Sequence, residues 1–226
     1  MRYRTWRIGA IVGAVCLAAW GLHAPSRDET LRKRAAVLER MEGVSWQRQS
    51  MPPSDGRFLR IMVESTGAKR VLEIGTSHGY AALWLGSGLE QTGGRLWTIE
   101  IDASRAREAR RNLQEAGLLD SVVTAIEGDA FKEIPKLTGP FDIVYLDAWK
   151  EDYDEFFALF YPMVREGGVI LAHNAILQAG DMKDFLDIVT KHPELDTVFL
   201  RTLEDPKTPA PDGFVVCYKR KVESKK

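Results

Sequence analysis

Gly75-Thr76-Ser77-His78-Gly79-Tyr80 follows directly on the apolar run Val71-Leu72-Glu73-Ile74. Glycines at the two ends of such a stretch permit a tight turn and a close approach of backbone to a ligand. No Lys-Ser/Thr pair follows, so this is not a Walker-type phosphate loop, and Ser77 interrupts the full glycine pattern of dinucleotide sites. About twenty residues on, Glu100 closes the run Leu96-Trp97-Thr98-Ile99, and an acidic residue at such a point can bind both hydroxyls of a ribose. A third run ends in Glu127-Gly128-Asp129-Ala130, where an acidic residue beside a small one suits the edge of an adenine pocket. Together these three ends fit a ligand that carries adenosine without a pyrophosphate.

Ligands of open α/β sheets bind beyond the carboxyl ends of the strands, so these residues require strands that stop just before them. The hydrophobic patterning predicts strands over 70–74, 95–101, 122–127, 141–146 and 168–172, with helices from Gly79 to about Leu89 and over 104–116, 131–137, 153–164 and 181–191. Such alternation implies an α/β fold with a parallel sheet and helices on both faces. Two closing strands, 197–201 and 214–218, are joined by a loop carrying Pro206, Pro209 and Pro211, which suits an antiparallel hairpin at the sheet edge. Upstream, residues 27–43 read as a charged surface helix with Leu31, Val37, Leu38 and Met41 interspersed. Residues 51–56 form a loop in which Ser54 or Asp55 caps a helix carrying Phe58, Leu59, Met62 and Val63.

The chain has 226 residues, 31 basic and 32 acidic, and is 45% hydrophobic. That suits one globular α/β domain and gives no charge excess for a dedicated nucleic-acid binder. Cys16 and Cys217 cannot make a disulfide framework or a cysteine-based structural zinc site. Arg2, Arg4 and Arg7 precede an apolar run over residues 8–22, the pattern of a signal core or a short membrane anchor. Cleavage after Ala24 would put Leu22 and Pro25 in unfavourable places, which favours an uncleaved anchor; export is the alternative. Arg27, Arg32, Lys33 and Arg34 beyond the run nearly balance the first three arginines, so the side on which the domain lies stays open. Residues 1–25 are therefore read as a signal or anchor and residues 26–226 as the domain.

Over about residues 48–219 the chain resembles the class I S-adenosylmethionine-dependent O-methyltransferases, most closely the catechol and caffeoyl-CoA group. The resemblance rests on Leu72-Glu73-Ile74-Gly75 with Gly79-Tyr80, on Glu100, on Glu127-Gly128-Asp129-Ala130, and on Tyr145-Leu146-Asp147-Ala148-Trp149-Lys150. It implies a Rossmann-like seven-stranded, mostly parallel sheet and S-adenosyl-L-methionine as cofactor. By position, Glu73, Gly75, Thr76, Ser77, Gly79 and Tyr80 would lie under the methionine half, with Met51 over it. Glu100 would hold the ribose, Ile101, Asp129 and Ala130 would flank the adenine, and Asp147 and Trp149 would adjoin the cofactor.

The family's metal site takes an aspartate after the fourth strand and an Asp-Asn pair after the fifth. Here those positions are Asp147 and His173-Asn174, so an imidazole replaces one carboxylate. The swap weakens Mg²⁺, which prefers oxygen ligands. Zn²⁺ suits imidazole better, Mn²⁺ stays open, and so does a site with no metal. A metal at Asp147 would acidify a bound hydroxyl; without one, His173 is the candidate general base. Lys150 matches the lysine that the family places near the acceptor hydroxyl. The expected acceptor is a small phenolic or catechol-like molecule, with Trp46 and Met51 as candidate walls and the loop 204–213 as a cover. The family's habit of dimerising makes residues 27–50 a candidate homodimer interface. Two alternatives are a membrane-tethered binding protein without catalysis and a tRNA-modifying methyltransferase using the basic tail 219–226; a nicotinamide-dependent oxidoreductase fits the glycine pattern less well.

Overall fold

The computed structural model describes residues 26–43, 51–202 and 212–221. The apolar run 8–22, Trp46, most of the loop 204–213 and the end of the basic tail lie outside the described residues. Among the described residues no helix is long and apolar enough to cross a membrane.

Seven strands form one sheet: β1 (Arg70–Ile74), β2 (Arg95–Glu100), β3 (Val123–Glu127), β4 (Phe141–Leu146), β5 (Val164–His173), β6 (Leu195–Thr202) and β7 (Asp212–Lys219). Their order is β3-β2-β1-β4-β5-β7-β6. β7 runs antiparallel to both neighbours and the remaining pairings are parallel. The expected edge hairpin is present, and β7 is its inner strand. The strand order reverses between β1 and β4, which is where such sheets bind ligands. Successive strand residues serve opposite faces: Val71, Ile143, Tyr145 and Leu171 enter one core, and Leu72, Val144, Leu146 and Ala172 the other.

The first face is covered by α1 (Arg27–Glu42), α2 (Pro53–Thr66) and α3 (Tyr80–Thr92), with α4 (Ala103–Glu115) beside them. α1 is more than a surface helix. Val37 and Met41 are buried, and Arg34 donates to the Glu90 carboxylate on α3 at 2.9 and 3.1 Å and to Ala116 O. α2 begins earlier than its polar residues suggest. Pro53 opens it, since a missing N–H costs nothing in a first turn, and Pro52 is the cap residue. Ser54 and Asp55 thus lie within the first turn. A Cβ at Gly56 would stand 2.2 Å from the Trp84 ring, so glycine lets this turn rest directly on α3.

The second face carries α5 (Ala130–Glu133), α6 (Tyr153–Phe160) and α7 (Lys183–Lys191). α5 and α6 are shorter than expected because Pro135 and Pro162 tighten each last turn into a 3-10 turn. α4 starts at Ala103, where the Asp102 carboxylate accepts from Ser104 N–H and Arg105 N–H. β5, β6 and β7 extend beyond their apolar centres because pairing along the ladder, which periodicity does not register, carries them on.

Candidate active site

The turn after β1 is held by its neighbours. Gly75 has φ +93° and donates to Ile99 O at 3.0 Å; a Cβ there would lie 2.3 Å from Asp147 O. Glycine is therefore what lets the end of β1 pass against the end of β4. Ser77, at φ +49°, donates its N–H to Glu100 Oε2 at 2.7 Å, and Asp102 N–H donates to Oε1 at 2.9 Å. One donor per oxygen fixes the buried Glu100 carboxylate and leaves acceptor capacity on both oxygens, as a ribose diol requires. Thr76 and Thr98 share a hydroxyl hydrogen bond beneath the turn. Tyr80 ties the start of α3 to Glu42 of α1 at 2.9 Å.

Glu73 is fully buried, and neither carboxylate oxygen has a hydrogen-bond partner among the described residues. Burial, with the charges of Asp147 and Glu100 adding to it, pushes its pKa up to about 8. A buried acid without donors is costly to ionise, so it is ready for a cationic ligand group. Ile101 and Trp149, at the ends of β2 and β4, are 61% and 70% exposed, far more than most large apolar side chains here. Asp129 caps α5 through Phe131 N–H, and Ala130 is buried behind it. Met51, Gly75, Thr76, Ser77, Tyr80 and Asp147 line one recess, so the glycine turn adjoins the end of β4. A larger hollow lined by Lys69, Arg70, Arg95 and Trp97 lies at the amino ends of β1 and β2, away from these groups.

At the end of β4, Lys150 sits in a 3-10 turn and is buried rather than solvated. Its Nζ donates to Asp147 Oδ1 at 2.8 Å and to Tyr153 Oη at 2.9 Å. Tyr145 donates to Asp147 Oδ2 at 3.1 Å. Burial raises the pKa of both tyrosines well above the usual range, and the Asp147 charge adds to it. Burial alone would raise the Asp147 pKa too, but Lys150 and His173 outweigh it and hold that carboxyl well below the ordinary range.

His173 closes β5 and is buried beside Phe214, with ring centroids 5.0 Å apart. Its Nε2 is 2.9 Å from Asp55 Oδ2, and its Nδ1 is 3.7 Å from Asp147 Oδ2. Burial alone would lower the imidazole pKa; the Asp147 and Asp55 carboxylates outweigh it and raise it to about 9. Both ring nitrogens thus face carboxylates, an arrangement that favours the protonated imidazole. Asn174, at φ +60°, turns its amide to Asp212, donating at 2.6 Å. The residues expected as metal ligands do not fit a divalent ion as a set. Asp147 has a donor on each oxygen, His173 faces two carboxylates, and Asn174 is turned to a third. Among the described residues no three His, Cys, Asp or Glu side chains form a metal-holding group.

Sequence reasoning missed Asp55, Tyr145, Tyr153 and Asp212. Asp55 carried a usable signal, because it shares the four-residue spacing of Leu59 and Val63 and all three are buried on α2. Asp212, assigned to the covering loop, instead opens β7; its carboxylate accepts from Leu177 N–H and Gly213 N–H as well as from Asn174. Lys219 likewise leaves the basic tail and donates to Tyr161 O and Val164 O.

Residues 28–208 match the O-methyltransferase family. The chain is 33% identical over 181 residues to a catechol O-methyltransferase of Mycobacterium tuberculosis, covering 75% of this chain and 81% of that one. In structure it is similar to cofactor-bound Rv0187 from MTB, with a TM-score of 0.72 and 30% identity over 89% of this chain and 94% of that one. It is also similar to the O-methyltransferase from Bacillus cereus in complex with SAH, with a TM-score of 0.72 and 26% identity over 88% and 94%. With the family match spanning most of the chain and a relative one-third identical over three quarters of it, the chain belongs to the O-methyltransferase family.

Proposed function

We propose that this O-methyltransferase moves the methyl group of S-adenosylmethionine to one hydroxyl of a small, catechol-like phenol. The observation that carries the reading is the shared recess, in which the glycine turn and Met51 meet the carboxylate that holds Lys150. Glu100 would hold the ribose hydroxyls and Glu73 the ammonium of the methionine half. Ile101 and Ala130 would lie along the adenine, and Trp149, exposed just beyond β4, would offer a flat face to the cofactor. The cofactor supplies a methyl group on a cationic sulfur, open to in-line attack by oxygen. The protein's part is mainly positional, holding oxygen, methyl and sulfur in line. Lys150 has three Nζ donors and two partners, so its third donor serves the acceptor oxygen and stabilises the phenolate left when the hydroxyl proton passes to solvent. That oxygen then takes the methyl as the carbon–sulfur bond breaks, and neutral S-adenosylhomocysteine leaves.

The test is titration of the full chain with S-adenosylhomocysteine and with NAD, followed by methyl transfer to catechol. S-adenosylhomocysteine alone should bind. Lys150→Met should keep that affinity while kcat falls by about 100-fold, the scale of one lost oxyanion donor. An undiminished kcat would remove Lys150 from the reaction, and transfer to no phenol at all would overturn the acceptor assignment.

A further inference from the structure

The imidazole at the end of β5 has a partner that the mechanism above leaves unused. Asp55 comes from the first turn of α2, far away in sequence, and is fully buried with its Oδ2 2.9 Å from His173 Nε2. A buried carboxylate needs a partner, and this one is aimed at the residue that replaces the expected metal-site aspartate. The replacement therefore comes with its own support. Three features fix the ring: Asp55 at Nε2, the Phe214 ring at its side, and the β5–β7 register that sets His173 opposite Phe214. Gly56, next to Asp55, lets α2 approach closely enough on Trp84 to deliver that carboxylate.

The remaining contacts complete a chain from α2 to β4. His173 Nδ1 faces Asp147 Oδ2, Tyr145 donates to the same oxygen, and Lys150 donates to the other. Each carboxylate in this chain already has a nitrogen partner. A hard divalent cation would have to displace those donors and would gain only one carboxylate and a carbonyl from Asn174, whose amide is held by Asp212.

We propose that Asp55 is a positioning residue for methyl transfer, and that the linked side chains Asp55, His173, Asp147 and Lys150 serve the acceptor without a divalent metal. Asp55 acts through His173, which steadies Asp147, which in turn holds Lys150 at the acceptor oxygen. This rests on the acceptor reading above, so the test includes measurements that do not depend on any phenol.

The full chain, bound to S-adenosylhomocysteine, is titrated with Mn²⁺ and followed by electron paramagnetic resonance. The free Mn²⁺ signal should stay undiminished, and transfer to catechol should be equal in EDTA and in Mg²⁺. Stoichiometric loss of the signal, or a rate that disappears in EDTA and returns with Mg²⁺, would overturn the proposal. Asp55→Asn should leave S-adenosylhomocysteine affinity unchanged, lower kcat by about tenfold, and shift the nitrogen resonances of the His173 ring, since the ring loses a charged partner. An unchanged kcat with unchanged ring resonances would refute the positioning role. If that variant fails to fold, Asp55→Glu, which keeps the charge but displaces it by one methylene, should still lower kcat with S-adenosylhomocysteine affinity unchanged, and an unchanged kcat there would refute the positioning role. The double variant Asp55→Asn/His173→Asp restores the carboxylate and should acquire Mn²⁺ binding. Failure to transfer to any phenol, with cofactor binding intact, would remove the acceptor reading, while the Mn²⁺ titration would still decide the metal.

Discussion

Gly75→Ala tests the close approach of β1 and β4. The new Cβ would stand 2.3 Å from Asp147 O, 2.6 Å from Asp147 C and 2.9 Å from Ala148 N, where ordinary contact begins at 3.4 Å. The end of β4 must therefore retreat by about 1 Å, a displacement on the scale that costs about 100-fold in rate when it misplaces catalytic groups. Retreat is resisted by Asp147 N–H, which donates to Ile74 O at 2.9 Å. Alanine at φ +93° is also strained, at about 1–3 kcal/mol. Overlap and strain together place the loss near 3 kcal/mol, or roughly 6–12 °C in Tm for a domain of this size. Gly67→Ala supplies the control. Its φ is +65° and nothing lies within 4 Å of its Cβ, so it carries the strain without the clash and should cost about 1 kcal/mol. Calorimetric melting and kcat/KM on catechol measure both variants. If the Gly75 variant melts and turns over like the Gly67 variant, the steric argument is refuted.

Three further outcomes are expected. Glu100→Ala strands the Ser77 and Asp102 N–H groups and removes the ribose acceptor, so S-adenosylhomocysteine affinity should fall by at least about tenfold, at about 1–3 kcal/mol per unmade bond; titration calorimetry reads this, and unchanged affinity would exclude Glu100 from the cofactor. Because burial holds Glu73 protonated to about 8, cofactor binding at neutral pH should release a proton as its ammonium arrives; binding enthalpies identical in phosphate and Tris would contradict this. The His173 pKa is raised in the folded state, from 6.5 to about 9. Its stabilising contribution is then complete below the lower value, shrinks between the two, and is gone above the upper one, on the order of 3 kcal/mol in all. Melting temperature against pH should slope downward across that window in the wild type and be flatter in His173→Gln; parallel curves would refute the assignment.

The sheet was legible because strands buried on both faces leave long apolar runs, and Val71–Ile74 and Ile143–Leu146 are such runs. The strand-end residues were legible because a glycine and an acid, as at Gly75 and Glu100, stand out where an apolar run stops, and the structure ties both to the turn after β1. What escaped depends on contacts between distant segments. Asp55 looks like a helix cap in a Pro-Pro-Ser-Asp-Gly stretch, and only the packing of α2 on α3 turns it inward to His173. Tyr145 and Tyr153 look like core aromatics, and nothing local shows their hydroxyls meeting Asp147 and Lys150. Lys150 was found by its place in Asp-Ala-Trp-Lys, while its burial was not.

The pairing of Thr202 with Asp212 bears on how this enzyme could diversify. Asp212 is fastened at once to β6, to the turn after β5 through Leu177 N–H, and to Asn174. The chain thus leaves the sheet at Thr202 and re-enters it at a clasp that is closed by other parts of the molecule. Lengthening residues 203–211 would cost only about 0.6 kcal/mol per doubling of the segment. Thr202 and Asp212 both stand at the carboxyl end of the sheet, so the clasp, and not whatever sequence joins them, fixes where the chain leaves and re-enters it.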